Sequence, residues 1–340
     1  MEEIIFSDDE WKKIRSIAFN RKKHYKKFFI PKSDGIRKRM ILAPDDELKK
    51  LQLRILNDYL YVHFIPSVYA TGFVVDRSIV DNAMSHVGSK IIVNIDIKDF
   101  FPSITANMIV QDVFYIPIKK GIENGRRKRI MEEENKMMHQ VEEHRFRLTK
   151  DENDIVTLYA NLLTKIVTYP YSWGSALPQG APTSPALSNI VCFEMDNVLS
   201  GVAERNNAVY TRYADDLTFS SCENTKLNRL IPIIKSVVDK YGFKANERKI
   251  HVNRAGGRMQ VTGLVVNDKV SYGRGRWRII RAILHNAKMK ICNDKEWFPF
   301  DVMHYRGLAA YIHSFDPAKA IFMNSEIDCI VDGMKELKGA

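Results

Sequence analysis

The sequence predicts an α+β fold in which helices pack on an antiparallel sheet. Three observations predict it. Val209–Tyr213 and Leu217–Ser220 are short β-branched and aromatic runs joined by Ala-Asp-Asp, the signature of a hairpin. Residues 91–97, IIVNIDI, form one strongly apolar strand far upstream of that hairpin. Segments of helical period lie on both sides of these strands, without the regular strand–helix alternation of a parallel sheet.

In chain order, residues 8–20 and 46–63 carry helical patterning, the second with an apolar stripe of Leu48, Leu51, Leu53, Ile55, Leu56 and Leu60. Between them, residues 28–41 read as a basic hairpin with Ser33-Asp34-Gly35 at its tip. A helix is expected to resume near Thr105. Residues 117–155 differ in composition, with ten Lys/Arg and nine Asp/Glu. Opposite charges at helical spacing predict an exposed, salt-bridged insertion there. In SALPQGAPTSPALSN, Ser184 is the expected N-cap and Pro185 the first helical residue. Leu187, Ile190, Val191, Val198, Leu199 and Val202 then mark one helix face. A helix near 225–240, two strand-like stretches (GFKANERKIHV and MQVTGLVVN) and a helical tail over 276–291, 301–313 and 317–337 complete the chain.

Composition narrows the function. The 340 residues carry a net charge of +11. Nine Lys/Arg against one acid lie between Arg21 and Arg39, and twelve against two between Lys244 and Lys290. Two basic regions flanking a near-neutral middle fit a polyanion held from two sides, the alternative being solvated basic faces. No apolar run reaches the length of a membrane span, so no membrane association is expected. The acidic MEEIIFSDDEWKK does not read as a signal peptide, and four scattered cysteines suit a reducing cytoplasm.

The chemistry is expected at carboxylates. Asp96 ends an apolar strand, where an acid is costly unless it is paired or binds a metal. Asp215 and Asp216 sit in the hairpin turn, 119 residues downstream of Asp96. Turn aspartates are usually structural. If the two strands are neighbours, however, the three acids converge and suit two Mg²⁺ ions about 4 Å apart, the arrangement used for in-line nucleotidyl transfer.

The ordered set NIDIKDFFPSI, LPQGAPTSPALSN, RYADDLTFS, GFKANERKI and QVTGLVVN resembles the successive motifs of reverse transcriptases, over roughly residues 25–315. Asn82-Ala83-Met84-Ser85-His86 and Val261-Thr262-Gly263 resemble patterns of bacterial retron enzymes, and QGAPTSP resembles retron and group II intron forms. The resemblance implies a right-hand polymerase. Fingers and palm would span residues 1–270, including the charged insertion at 117–155, and a helical thumb that binds RNA and DNA would span 271–340.

Position by position, the resemblance implies Asp96, Asp215 and Asp216 as catalytic acids and metal ligands. Asp216 would be the more peripheral, and the Ile97 carbonyl would complete a metal shell. The cofactor would be two Mg²⁺ ions, with Mn²⁺ as a substitute. Phe101 would stack under the sugar and exclude a 2′-hydroxyl, with Phe100 facing the core. Gln179 would contact the incoming nucleotide, and Gly180 would let the backbone approach closely. Arg39 would clamp the triphosphate with Lys32 as helper, and Lys249 would protonate the pyrophosphate. MQVTGLVVN would grip the primer, and Arg274, Arg276, Arg278 and Arg281 would follow the template–primer backbone.

The resemblance further implies a dedicated structured non-coding RNA of the msr-msd type, priming from an internal 2′-hydroxyl, and a branched msDNA product made from dNTPs in antiphage defence. With no further domain expected after the thumb, a separate effector protein and a host RNase H are the implied partners. Another bacterial reverse transcriptase, of defence or intron type, is the neighbouring alternative. An RNA-binding scaffold without catalysis is the remote one.

Overall fold

The computed structural model describes residues 6–31, 38–134, 147–223 and 226–339. Ser7 opens the first helix, Asp8–Asn20, through a reciprocal capping box with Glu10. β1 (Tyr25–Pro31) and β2 (Lys38–Pro44) form the expected antiparallel basic ribbon. Its tip, with Lys32 and the Ser-Asp-Gly turn, lies outside the described residues. Asp45 caps the helix Asp46–Arg54, which runs on through a π-helical turn to His63. Leu48, Leu51, Ile55, Leu56 and Leu60 are buried, while Leu53 is partly exposed because it falls off their face.

The central sheet has four antiparallel strands in the order β6-β7-β3-β8. β3 is Ile91–Asp96, β6 Val209–Tyr213, β7 Asp216–Ser221 and β8 His251–Arg254. A two-stranded ribbon of β4 (Tyr169–Tyr171) and β5 (Gly174–Ala176) precedes β6 in the chain. Alternation along β3 divides its side chains between two faces. Ile91, Val93 and Ile95 enter the main core, with Phe219, Leu217 and Phe243. Ile92 enters a smaller cluster built from the helix Ile79–Met84 and the hairpin of β9 (Gln260–Val261) and β10 (Leu264–Val265). Asp96 shares the face of Ile92 and Asn94, so one face of β3 changes from apolar to polar toward its end.

Three expectations need correction. Ser184 does not cap its helix. It lies inside Ser184–Val191, Thr183 precedes it, and the Ser184 hydroxyl donates to the Pro178 carbonyl at 2.7 Å. The continuous helix face expected from Leu187 to Val202 is broken at Cys192, and a second helix, Phe193–Glu204, turns Val198 toward solvent. The charged stretch 117–155 is mostly exposed or half-buried and carries the expected ion pair, Arg126 of the helix Ile116–Glu134 with Glu152 of the helix Lys150–Val167, but it is not wholly a surface insertion, because Ile118 and Leu148 are buried in the main cluster. Arg126 also donates to the Arg147 carbonyl. Residues 135–146 between those helices lie outside the described residues.

The chain closes with helices Arg274–Lys288, Val302–His313 and Pro317–Gly339. They have their own apolar cluster, which includes Leu284, Ile312, Met323 and Ile327. No helix among the described residues is long and apolar enough to cross a membrane.

Candidate active site

Pairing of β3 with β7 brings the distant acids together. Asp96 is the direct cross-strand partner of Asp216, and the Ile97 N–H donates to the Asp215 carbonyl at 2.8 Å. The turn that presents Asp215 requires Ala214 at φ 57°, a left-handed conformation that is rare outside glycine. A buried network holds this turn. Arg212, fully buried, donates through Nε (2.8 Å) and Nη2 (2.7 Å) to the Asp196 carboxylate, and through Nη1 to Asn189 Oδ1 (3.0 Å) and the Ala214 carbonyl (3.3 Å). The Tyr210 hydroxyl donates to Asp196 Oδ1 at 2.8 Å, and the Asn189 amide reaches the Gly72 carbonyl at 3.0 Å. A buried carboxylate needs such compensation to remain charged.

Asp96 is buried and both of its oxygens are engaged. Asn246 Nδ2 donates to Oδ1 at 3.0 Å and Lys249 Nζ to Oδ2 at 2.6 Å. Backbone bonds bring that loop in: the Asn246 N–H donates to the Asp96 carbonyl at 2.7 Å, and Ile97 bridges Ala245. The hydrogen bond to Asp96 holds the Lys249 ammonium above its usual pKa. Burial, then the Asp96 charge, raises the Asp215 carboxyl, and Lys249 and Arg39 oppose that rise. Burial and then the charges of Asp215 and Asp96 push Asp216 up to about 7.

These acids are therefore packed more densely in negative charge than their protein neighbours neutralise. Hard carboxylate oxygens in that state fit a hard divalent cation, which takes few protein carboxylates and fills its shell with water and phosphate oxygens. Among the described residues, no three His, Cys, Asp or Glu side chains stand close enough to enclose an ion by themselves. Substrate oxygens would have to complete the shell.

The remaining predicted residues surround this centre unevenly. Phe100 is buried against Phe243, whereas Phe101 is half-buried with its ring 5.9 Å from Phe73. Arg39 is exposed on β2, close enough for its charge to act on Asp215. Gln179 is half-buried, and its carbonyl accepts from the Leu42 N–H of β2 at 2.8 Å. The close approach at Gly180 is to protein, since a Cβ there would lie 2.8 Å from the Leu42 carbonyl oxygen. Arg274, Arg276, Arg278 and Arg281 are exposed on the first of the terminal helices.

Sequence reasoning missed Asn246, Asp196 and Asn189, and quoted Arg212 without a role. Asp196, an acid within the apolar helical run FEMDNVL, is the one visible signal. The NAxxH segment, noted only as a likeness, proves to be buried support for the hairpin. His86 is bonded to Ser220 and Thr211, each at 2.7 Å, and burial pushes its pKa down to about 4, so the ring is neutral.

Residues 30–272 match the family described as reverse transcriptase (RNA-dependent DNA polymerase). The chain is 36% identical to the retron Mx162 reverse transcriptase of Myxococcus xanthus over 90% of its own length and 62% of that relative. It is 34% identical to the retron Mx65 enzyme of the same organism, over 88% of this chain and 63% of the relative. With the retron Ec86 reverse transcriptase of Escherichia coli the identity is 31%, over 89% of this chain and 80% of the relative. The chain thus spans somewhat under two thirds of the Myxococcus relatives. With the acids, the YADD hairpin and the NAxxH support in place, these matches mean that the chain belongs to the reverse transcriptase family and groups with the retron reverse transcriptases.

Proposed function

We propose that this chain is the RNA-directed DNA polymerase of a retron, copying a dedicated structured RNA of the msr-msd type into branched msDNA that serves antiphage defence. The observation that carries the reading is the direct pairing of Asp96 with Asp216, beside Asp215, on the central sheet. In polymerase terms, the central sheet would be the palm, the β1–β2 ribbon part of the fingers, and the terminal helices the thumb.

Asp96, Asp215, Asp216 and the Ile97 carbonyl would hold two Mg²⁺ ions, or Mn²⁺, which supply the charge that acidifies the attacking hydroxyl and neutralises the departing pyrophosphate. The protein's own groups do the rest. Arg39 and Lys32 grip the triphosphate of the dNTP, and a guanidinium does so with two parallel hydrogen bonds. Gln179 positions the nucleotide from a loop that β2 holds in place. Phe101, the half-buried member of the Phe pair, lies under the sugar and excludes a 2′-hydroxyl. Lys249 leaves Asp96 as substrate enters and delivers a proton to the pyrophosphate. The exposed arginines of the terminal helices hold the template–primer backbone, with salt-dependent affinity from counterion release. The RNA primes from an internal 2′-hydroxyl. A host RNase H trims the template, and a separate effector reads the product in the cytoplasm.

The test is to purify the protein from cells carrying its locus and sequence the attached nucleic acid, with and without RNase and debranching enzyme. A short DNA joined 2′–5′ to a single RNA species is expected. Unbranched DNA would move the chain to another reverse transcriptase class. Asp215→Asn should lower synthesis about a thousandfold, the several kcal/mol that metal charge supplies, while RNA still binds. Retained polymerisation would sink the metal assignment.

A further inference from the structure

The two short patterns that mark the retron branch meet in space. Val261 and Leu264 pair across a two-residue turn, Thr262-Gly263, in which both residues have positive φ (45° and 84°). Hairpin turns of this hand favour Asn, Asp or Gly at the first position. A β-branched residue there is a genuine outlier. Its hydroxyl explains its presence. Thr262 Oγ1 donates to the Ile79 carbonyl at 3.3 Å and accepts from Asn82 Nδ2 at 3.5 Å.

Asn82 is fully buried, and its other end faces the catalytic hairpin. Its Oδ1 accepts from Thr211 Oγ1 at 2.6 Å and from Thr71 Oγ1 at 2.9 Å. Thr211 has one hydroxyl proton, and it goes to Asn82. His86 Nε2 must then donate to Thr211, and Nδ1 accepts from Ser220. The relay from Ser220 through His86, Thr211 and Asn82 to Thr262 uses every donor once. It joins β7 and β6, the strands that carry the YADD turn, to the β9–β10 turn. The far side of that turn is tied as well, because Arg276 Nη1 donates to the Gly263 carbonyl at 3.1 Å.

We infer that Asn82 and Thr262 are positioning residues that fix the β9–β10 turn relative to the catalytic hairpin. Resting on the polymerase reading, the inference makes their purpose the alignment of the primer end with the acids. A second tie keeps the hairpin docked when Thr262 changes: Asn94 donates to the Gln260 carbonyl at 3.2 Å and accepts from Thr218 at 3.1 Å.

Thr262→Gly separates the hydroxyl from the strain, since glycine accepts this φ freely. On a primed RNA template, Thr262→Gly should lower kcat about tenfold, with the dNTP KM within twofold and the melting temperature unchanged or higher. Thr262→Ser, which keeps the hydroxyl, should stay within twofold of wild type. Amide hydrogen exchange over residues 209–221 should quicken in the glycine variant and not in the serine variant. A glycine variant with wild-type kcat and exchange overturns the inference, and so does a serine variant as slow as glycine. A wild-type chain that extends no primer would defeat the polymerase reading instead, and the exchange comparison would still decide whether Thr262 ties the β9–β10 turn to the hairpin.

Discussion

Asp196→Asn tests whether the buried ion pair organises the catalytic turn. The substitution keeps shape and removes charge. Asp196 and Arg212 are both fully buried, joined by two charge-assisted bonds of 2.7 and 2.8 Å. An asparagine can offer one oxygen, so either Nε or Nη2 of Arg212 then faces an NH₂ group, and the guanidinium loses its counterion. Removing one partner of a buried pair costs about 3–5 kcal/mol, because the other charge stays desolvated. At roughly 2–4 °C per kcal/mol for a domain of 150–250 residues, the melting temperature should fall by about 10 °C. Catalysis should fall too, because the same guanidinium holds the Ala214 carbonyl beside Asp215. Thermal unfolding by circular dichroism and primer extension below the melting point read the two effects. The paired change Asp196→Leu with Arg212→Met should recover part of the stability, since no buried charge remains. A melting-temperature loss under 2 °C for Asp196→Asn would refute the reasoning.

Other outcomes follow from the same geometry. His86 has a folded pKa depressed to about 4 against about 6.5 unfolded, so the unfolded chain binds the extra proton in that window. Stability should therefore fall by about 3 kcal/mol as pH drops from 6.5 to 4, and denaturation midpoints of His86→Gln should vary less over that range than those of wild type. Gly180→Ala sets a methyl against the Leu42 carbonyl at a left-handed position, so the loop must leave β2. A cost of about 1–3 kcal/mol and a raised dNTP KM are expected, and a neutral result would show that the loop yields freely. Phe101→Ala should relax discrimination against rNTPs in single-nucleotide incorporation, whereas unchanged discrimination would place the gate at another residue.

The sequence by itself determined most of the elements and pointed to the acids that the central sheet brings together. The apolar run IIVNIDI and the β-branched, aromatic runs of the YADD hairpin marked the strands, and helical period marked most helices, because these signals come from which faces a local segment buries. Asp96 was legible as an acid at the end of an apolar strand, where burial makes acids expensive, and Asp215 and Asp216 were legible through their hairpin turn and the motif order around it. The partners of those groups were not legible. Lys249 on Asp96, Arg212 on Asp196, and Asn82 between Thr211 and Thr262 join residues up to 180 positions apart. No period in the chain encodes which polar side chains will meet once the sheet order is set. The break at Cys192 and the burial of Ile118 and Leu148 escaped for the same reason. Their surroundings are supplied by other segments, and the fold alone decides that a charged-looking stretch reaches into the core.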